Sequence, residues 1–131
     1  MADKIQFDLV SPERLLLSQP VDMVTIPGSE GYMGVMAGHM ALVSTLRAGM
    51  IDMKDNGVDT RFFIRGGFAE INATQVTVLA EEAIPMTELD LAVLDQRIKD
   101  AQEDEIAAKT DAERLKAAQL VDDLKLVRAA F

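Results

Sequence analysis

The chain has 131 residues, 49% of them hydrophobic, with 13 basic and 22 acidic side chains and a formal charge of −9. That length suits one domain, or a small domain with an appendage, and the apolar fraction excludes general disorder. The acidic balance argues against an electrostatic grip on nucleic acid, which needs clustered Lys and Arg. The absence of cysteine excludes disulfides, thiol catalysis and cysteine-based metal sites.

Asp3 and Lys4 interrupt the start of the chain before any apolar run develops, so no secretory signal is expected there. No stretch approaches the ~18 apolar residues of a membrane span. A cytoplasmic address is the expectation, with any membrane association arising through a partner.

Residues 5–9 alternate Ile5, Phe7 and Leu9 with Gln6 and Asp8, the period of a half-buried strand. A short apolar run at 15–17 follows Ser11-Pro12, and residues 21–26 form a further strand that Pro27-Gly28 is expected to stop. Residues 28–39 hold the densest glycine segment and read as turns and bulges at a sheet edge. They lack the Gly-Lys-Ser/Thr of a phosphate loop and the helix that should follow a dinucleotide fingerprint. Strands are expected at 41–46 and 50–54. Asp55-Asn56-Gly57 signals a tight hairpin, because Asn-Gly tolerates positive φ. The chain returns at 61–65, breaks at Gly66-Gly67, continues at 68–71, turns at 72–74 and closes with 75–79. About nine to ten short strands at this spacing suggest a sandwich or barrel.

After Pro85 there is neither glycine nor proline. Thr87 is the expected N-cap of a first helix, with Asp90 three residues on. Its apolar stripe is Leu91, Leu94, Ile98 and Ala101. Thr110 or Asp111 caps a second helix, whose stripe is Ala117, Leu120 or Val121, Leu124, Val127 and Phe131. Two one-sided helices with a short polar joint cover each other as an antiparallel hairpin. The expected architecture is therefore mainly β plus α, a β-sandwich over residues 1–86 followed by a two-helix hairpin over residues 87–131.

His39 is the only imidazole, and no local motif gives it a nucleophile or a carboxylate partner. A structural or contact role is the simpler reading. A small enzyme would have to join it to Glu30 or Glu70. The glycine-rich segment can also serve as a docking loop, since Tyr32, Met33, Met36 and Met40 offer adaptable apolar surface. Residues 88–105 carry seven acids against two bases, while residues 111–131 carry four of each. The second helix is thus the better candidate to meet an acidic partner, through Arg114, Lys116, Lys125 and Arg128.

Two segments carry a resemblance. One is residues 26–42, whose glycine-rich loop ends in Gly38-His39-Met40-Ala41-Leu42. The other is Gly66-Gly67-Phe68-Ala69-Glu70, followed by Val76-Thr77-Val78-Leu79. Together they resemble the epsilon-subunit family of bacterial F-type ATP synthases, called delta in mitochondria, and the likeness covers essentially the whole chain. The resemblance implies a non-catalytic rotor component of a proton-translocating complex, peripheral on the cytoplasmic face of the inner membrane, with no cofactor and no metal. It implies a sandwich that packs on the gamma subunit and stands on the ring of c subunits. The ring contacts carry over to Glu30, Gly31, Tyr32 and Met33 and to Gly38, His39, Met40, Ala41 and Leu42. The hairpin would fold on the sandwich or extend toward the alpha and beta subunits and restrain ATP hydrolysis. Some members hold ATP through Ile/Leu-Asp-x-x-Arg-Ala. Here Leu94-Asp95-Gln96-Arg97-Ile98 sets the arginine one residue early, turning it by about 100°, which tells against a nucleotide on Asp95 and Arg97. A rival from another class is a stand-alone adaptor or ligand-binding β-domain with a dimerising hairpin.

Overall fold

A computed structural model describes residues 3–131. The chain divides into two compact units, one ending at Met86 and the other spanning Thr87–Phe131.

The first unit holds eight strands: β1 (Ile5–Val10), β2 (Leu15–Val21), β3 (Met23–Gly28), β4 (Gly31–Val35), β5 (Leu42–Thr45), β6 (Gly49–Asp55), β7 (Val58–Ile71) and β8 (Gln75–Pro85). They pair in the order β2-β1-β8-β7-β6-β3-β4, with β5 beside β7. All contacts are antiparallel except β1 with β8, which runs parallel from Gln6↔Gln75 to Val10↔Leu79. The 14-residue β7 makes a two-layer arrangement possible. Its first part pairs with β6 (Met50↔Phe63) and its last part with β5 (Leu42↔Ile71), while β8 follows it through both. Strands that pass from one layer to the other form the corners of such a sandwich. Between the layers lie the alternate side chains of each strand, among them Ile5, Phe7, Leu9, Val24, Ile26, Ile51, Ile64, Val76 and Val78. Lys4 ties the layers at one corner, reaching from the start of β1 to Asp55 and Asn56 in the β6–β7 turn.

The sandwich stands as expected, with eight strands in place of nine to ten. Gly66-Gly67 bends β7 and does not break it, so 61–65 and 68–71 are one strand. Pro27 does not end β3, which runs on to pair Pro27 with Tyr32. The segment read as turns contains β4 itself, and the strand expected over 41–46 keeps only Leu42–Thr45. The hairpin at Asn56-Gly57 is present, with φ of 53° and 78°.

The second unit is a 3-10 turn (Met86–Glu88) followed by α1 (Leu91–Ala107) and α2 (Asp111–Arg128). Asp90 caps α1, its side chain accepting from the Ala92 amide. Thr87 lies in the preceding turn and caps nothing, so that expectation is corrected: the winding of Met86–Glu88 moves the helix start three residues on. Thr110 caps α2, its hydroxyl accepting from the Glu113 amide at 3.1 Å, while the Glu113 carboxylate accepts from the Lys109 amide at 3.0 Å. The helices run antiparallel, with Arg128 at the end of α2 bound to Asp95 in the first turns of α1 at 2.9 Å. Leu94, Ala101, Val121, Leu124 and Val127 are buried. Leu91 is on the expected stripe but exposed. Phe131 lies beyond α2 and is exposed too.

Candidate interaction surfaces

The ring-contact residues expected from the sequence lie along one margin of the first unit. β4 is the edge of the paired order, so its outer side meets no strand among the described residues. Ser29 and Glu30 form the β3–β4 turn and Gly31 opens β4, beside the Thr45 end of β5, where the Ser29 amide donates to the Thr45 carbonyl at 3.0 Å. Gly31 has φ +131°, which favours glycine. At the other end of β4, the Gly38 amide donates to the Ala73 carbonyl at 2.7 Å and the His39 amide to that of Met36 at 3.1 Å. Glu30 and His39 therefore do not meet; they mark the two ends of one strip about 15 Å long, from the rise of a five-residue strand.

Exposure alternates along that strip. Tyr32, Met36 and Met40 are uncovered, Met40 at 81%, whereas Met33 is half-buried against the core. Tyr32 is anchored: its hydroxyl accepts from the Met50 amide at 3.1 Å, and its ring side passes over Gly49, where a Cβ would stand 2.6 Å from that oxygen. The His39 Nδ1 is 2.8 Å from the Met40 carbonyl, which makes that nitrogen the donor. Ala41 is exposed and Leu42 opens β5.

His39, Glu30 and Glu70 are not brought together among the described residues. Among the described residues no hydrogen bond or ion pair joins His39 to Glu30 or Glu70, and Glu70 faces Val43 and Thr77 on another surface. No group of three or more metal-ligating side chains occurs among the described residues. On the hairpin, Arg114 is paired with Asp111 at 2.9 Å and Arg128 with Asp95. Lys116 and Lys125 are exposed, as Arg114 is. Asp95 is engaged by Arg128.

A second surface was not singled out from the sequence. The outward positions of β2, β1, β8, β7 and β5 leave Leu15, Phe68 and Val43 exposed, with Val10 and Leu79 half-buried between them. Phe68 pairs with Leu79, and Leu79 with Val10, so the three form one row across the layer. Beside that row the Asp8 carboxylate accepts from the Ser18 hydroxyl at 2.6 Å, from Gln6 at 3.1 Å and from Gln75 at 2.9 Å. The Ser18 bond does most to hold the Asp8 carboxyl below the usual carboxylate range, with partial burial opposing it. The alternation of 75–79 was visible in the sequence; which of its two faces stays uncovered was not.

The first unit is a β-sandwich and the second a pair of helices. The chain belongs to the ATP synthase delta/epsilon-chain family, whose β-sandwich domain profile matches residues 4–86. An ATP synthase epsilon chain of Parvibaculum lavamentivorans is 52% identical over 129 residues, covering 98% of each chain. A chain in the cryo-EM structure of the Euglena gracilis mitochondrial ATP synthase (OSCP/F1/c-ring) superposes with TM-score 0.81 at 28% identity, over 99% of this chain and 82% of that one. A chain of the Tetrahymena thermophila mitochondrial ATP synthase central stalk and c-ring shares the fold, with TM-score 0.74 at 17% identity over 98% and 97%.

Proposed function

We propose that this chain is a non-catalytic rotor subunit that joins a c-subunit ring to the gamma shaft of a proton-translocating ATP synthase. It would sit peripherally on the cytoplasmic face of the bacterial inner membrane. No helix among the described residues is long and apolar enough to cross a membrane, so attachment runs through the partners. The observation that carries the reading is the uncovered β4 margin, from Glu30 to Leu42, on a rigid sandwich of this family. Torque passes only through a body that does not shear, and interiors packed at crystal-like density resist deformation. The exposed Tyr32, Met36 and Met40 supply adaptable apolar contact to the ring, and the uncovered outer face of the other layer is left for the shaft. The hairpin is a separate unit that can restrain ATP hydrolysis, with Lys116 and Lys125 meeting the alpha or beta subunits. Arg114 and Arg128 would first have to leave their carboxylates.

The chain has no cysteine, so Met40→Cys introduces a single thiol. A photoreactive maleimide at that thiol is expected to crosslink a c subunit in the assembled complex. The same label at Glu13→Cys, in the β1–β2 turn at the far end of β1, is expected not to. Elution of the native chain as a free homodimer, apart from any large ATPase, would replace this reading with the stand-alone adaptor.

A further inference from the structure

The outer face of the β2–β1–β8–β7–β5 layer has a one-sided charge pattern. Neither lysine nor arginine occurs anywhere in β1, β2, β5, residues 67–71 of β7 or residues 75–80 of β8, while Asp8 and Glu70 both point outward from them. Asp8 is held by three neutral donors, and no cation pairs with it among the described residues. Those donors fix the carboxylate in place without cancelling its charge. Next to it runs the partly exposed row of Phe68, Leu79 and Val10, over a depression of about 510 Å³ whose rim includes Pro12 and Gly67.

We propose that this face receives a segment of the shaft subunit that sets a lysine or arginine among apolar side chains, with the cation landing on Asp8. The inference rests on the rotor reading above and names the chemistry of one of its contacts. Charge complementarity selects the occupant. A second copy of this chain would bring Asp8 and Glu70 against like charges and offer no cation in return. A preorganised acceptor loses little ordering entropy on docking, so its bond is realised nearly in full.

The test uses Asp8→Asn in the full chain. An asparagine keeps the bonds from Ser18 and Gln6 at its oxygen, and the Gln75 amide can turn over to accept from the new NH₂, so the free chain is expected to fold. With purified gamma subunit, Asp8→Asn is expected to weaken binding about tenfold or more. Val43→Ser, which trims the apolar surface at an exposed position, is expected to weaken it about threefold. Asp59→Asn, which removes the same charge from the β6–β7 hairpin, should stay within about twofold, the scale of surface charges. Raising ionic strength should weaken the native chain more than Asp8→Asn.

If Val43→Ser weakens binding and Asp8→Asn does not, the face is a dock but the cation anchor is wrong. Native binding that is indifferent to salt overturns the anchor without recourse to any variant. A free-chain dimer that Val43→Ser disperses would place a second copy on the face and overturn the proposal. A native chain with no affinity for gamma would instead remove the rotor reading on which it rests.

Discussion

At Gly67 the backbone has φ +109°, and a Cβ built there would stand 2.0 Å from the Leu79 carbonyl oxygen and 2.9 Å from the Ala80 Cα. Gly57 also has positive φ, +78°, but a Cβ there meets open space. Both substitutions to alanine carry backbone strain, whereas only Gly67→Ala also forces two paired strands apart. Gly67→Ala is therefore expected to cost about 3 kcal/mol and Gly57→Ala about 1 kcal/mol, read from urea unfolding of the full chain. Equal losses at the two sites would mean that β7 and β8 yield at their crossing, and the contact argument would fail. The contrast also marks what a sequence can disclose about single residues. Asn56-Gly57 was legible because a two-residue turn is decided by the residues in it. Gly66-Gly67 was read as a break because its role depends on Leu79 and Ala80, a dozen positions away. Tyr32 shows the same limit: its ring was readable as exposed apolar surface, but the bond from the Met50 amide that anchors it comes from a strand formed later in the chain.

The same dependence on distant partners operates among elements. Strand patterns were legible wherever one face is buried, as in β1, where Ile5, Phe7 and Leu9 are buried and Gln6 and Asp8 are not. The pattern faltered at β4, a glycine-containing edge strand with Val35 its one buried side chain, because alternation is faint where little is covered. It could not reveal the length of β7 either, because the core-facing set changes phase along that strand, from Phe62 and Ile64 to Ala69 and Ile71, and so reads as two strands. Helix starts are local chemistry, yet two caps competed at the first. Thr87 and Asp90 are both capping types, and the 3-10 turn at Met86–Glu88 settles the choice for Asp90. At the second helix, Thr110 has a clear reciprocal arrangement with Glu113. Thr110→Ala is expected to remove about 1 kcal/mol from α2. Hydrogen exchange would show it as faster exchange of the amides near Glu113, with protection in β1 and β8 unchanged. Protection lost evenly through both units would show instead that the hairpin and the sandwich open as one.

For the whole molecule, the make-up of the sandwich core has a functional consequence. The sandwich core cluster described runs from Ile5 to Ala80, with Leu16, Leu17, Met33, Ala37 and Ala83 packed against it. Interiors lose stability when buried groups are deleted and cavities are left behind, and removal of residues 87–131 deletes none of that cluster. A chain ending at residue 86 is therefore expected to keep its fold, as judged by β-type circular dichroism and a cooperative unfolding transition. The β4 margin and the Asp8 face both lie within that part, so the shortened chain is expected to enter the complex and to support ATP synthesis. ATP hydrolysis should be unchanged or raised, because the part assigned the restraint is gone. A switch of this kind needs two postures within a few kcal/mol of each other, or no ligand could shift the balance. The hairpin suits that condition: its link from α1 to the end of α2 includes the Asp95–Arg128 pair, with side chains 55% and 40% exposed, and such exposed pairs contribute only about 1 kcal/mol or less. Exclusion of the shortened chain from the complex would place the assembly contacts on the helices. A fall in hydrolysis on truncation would show that the hairpin supports turnover and does not restrain it.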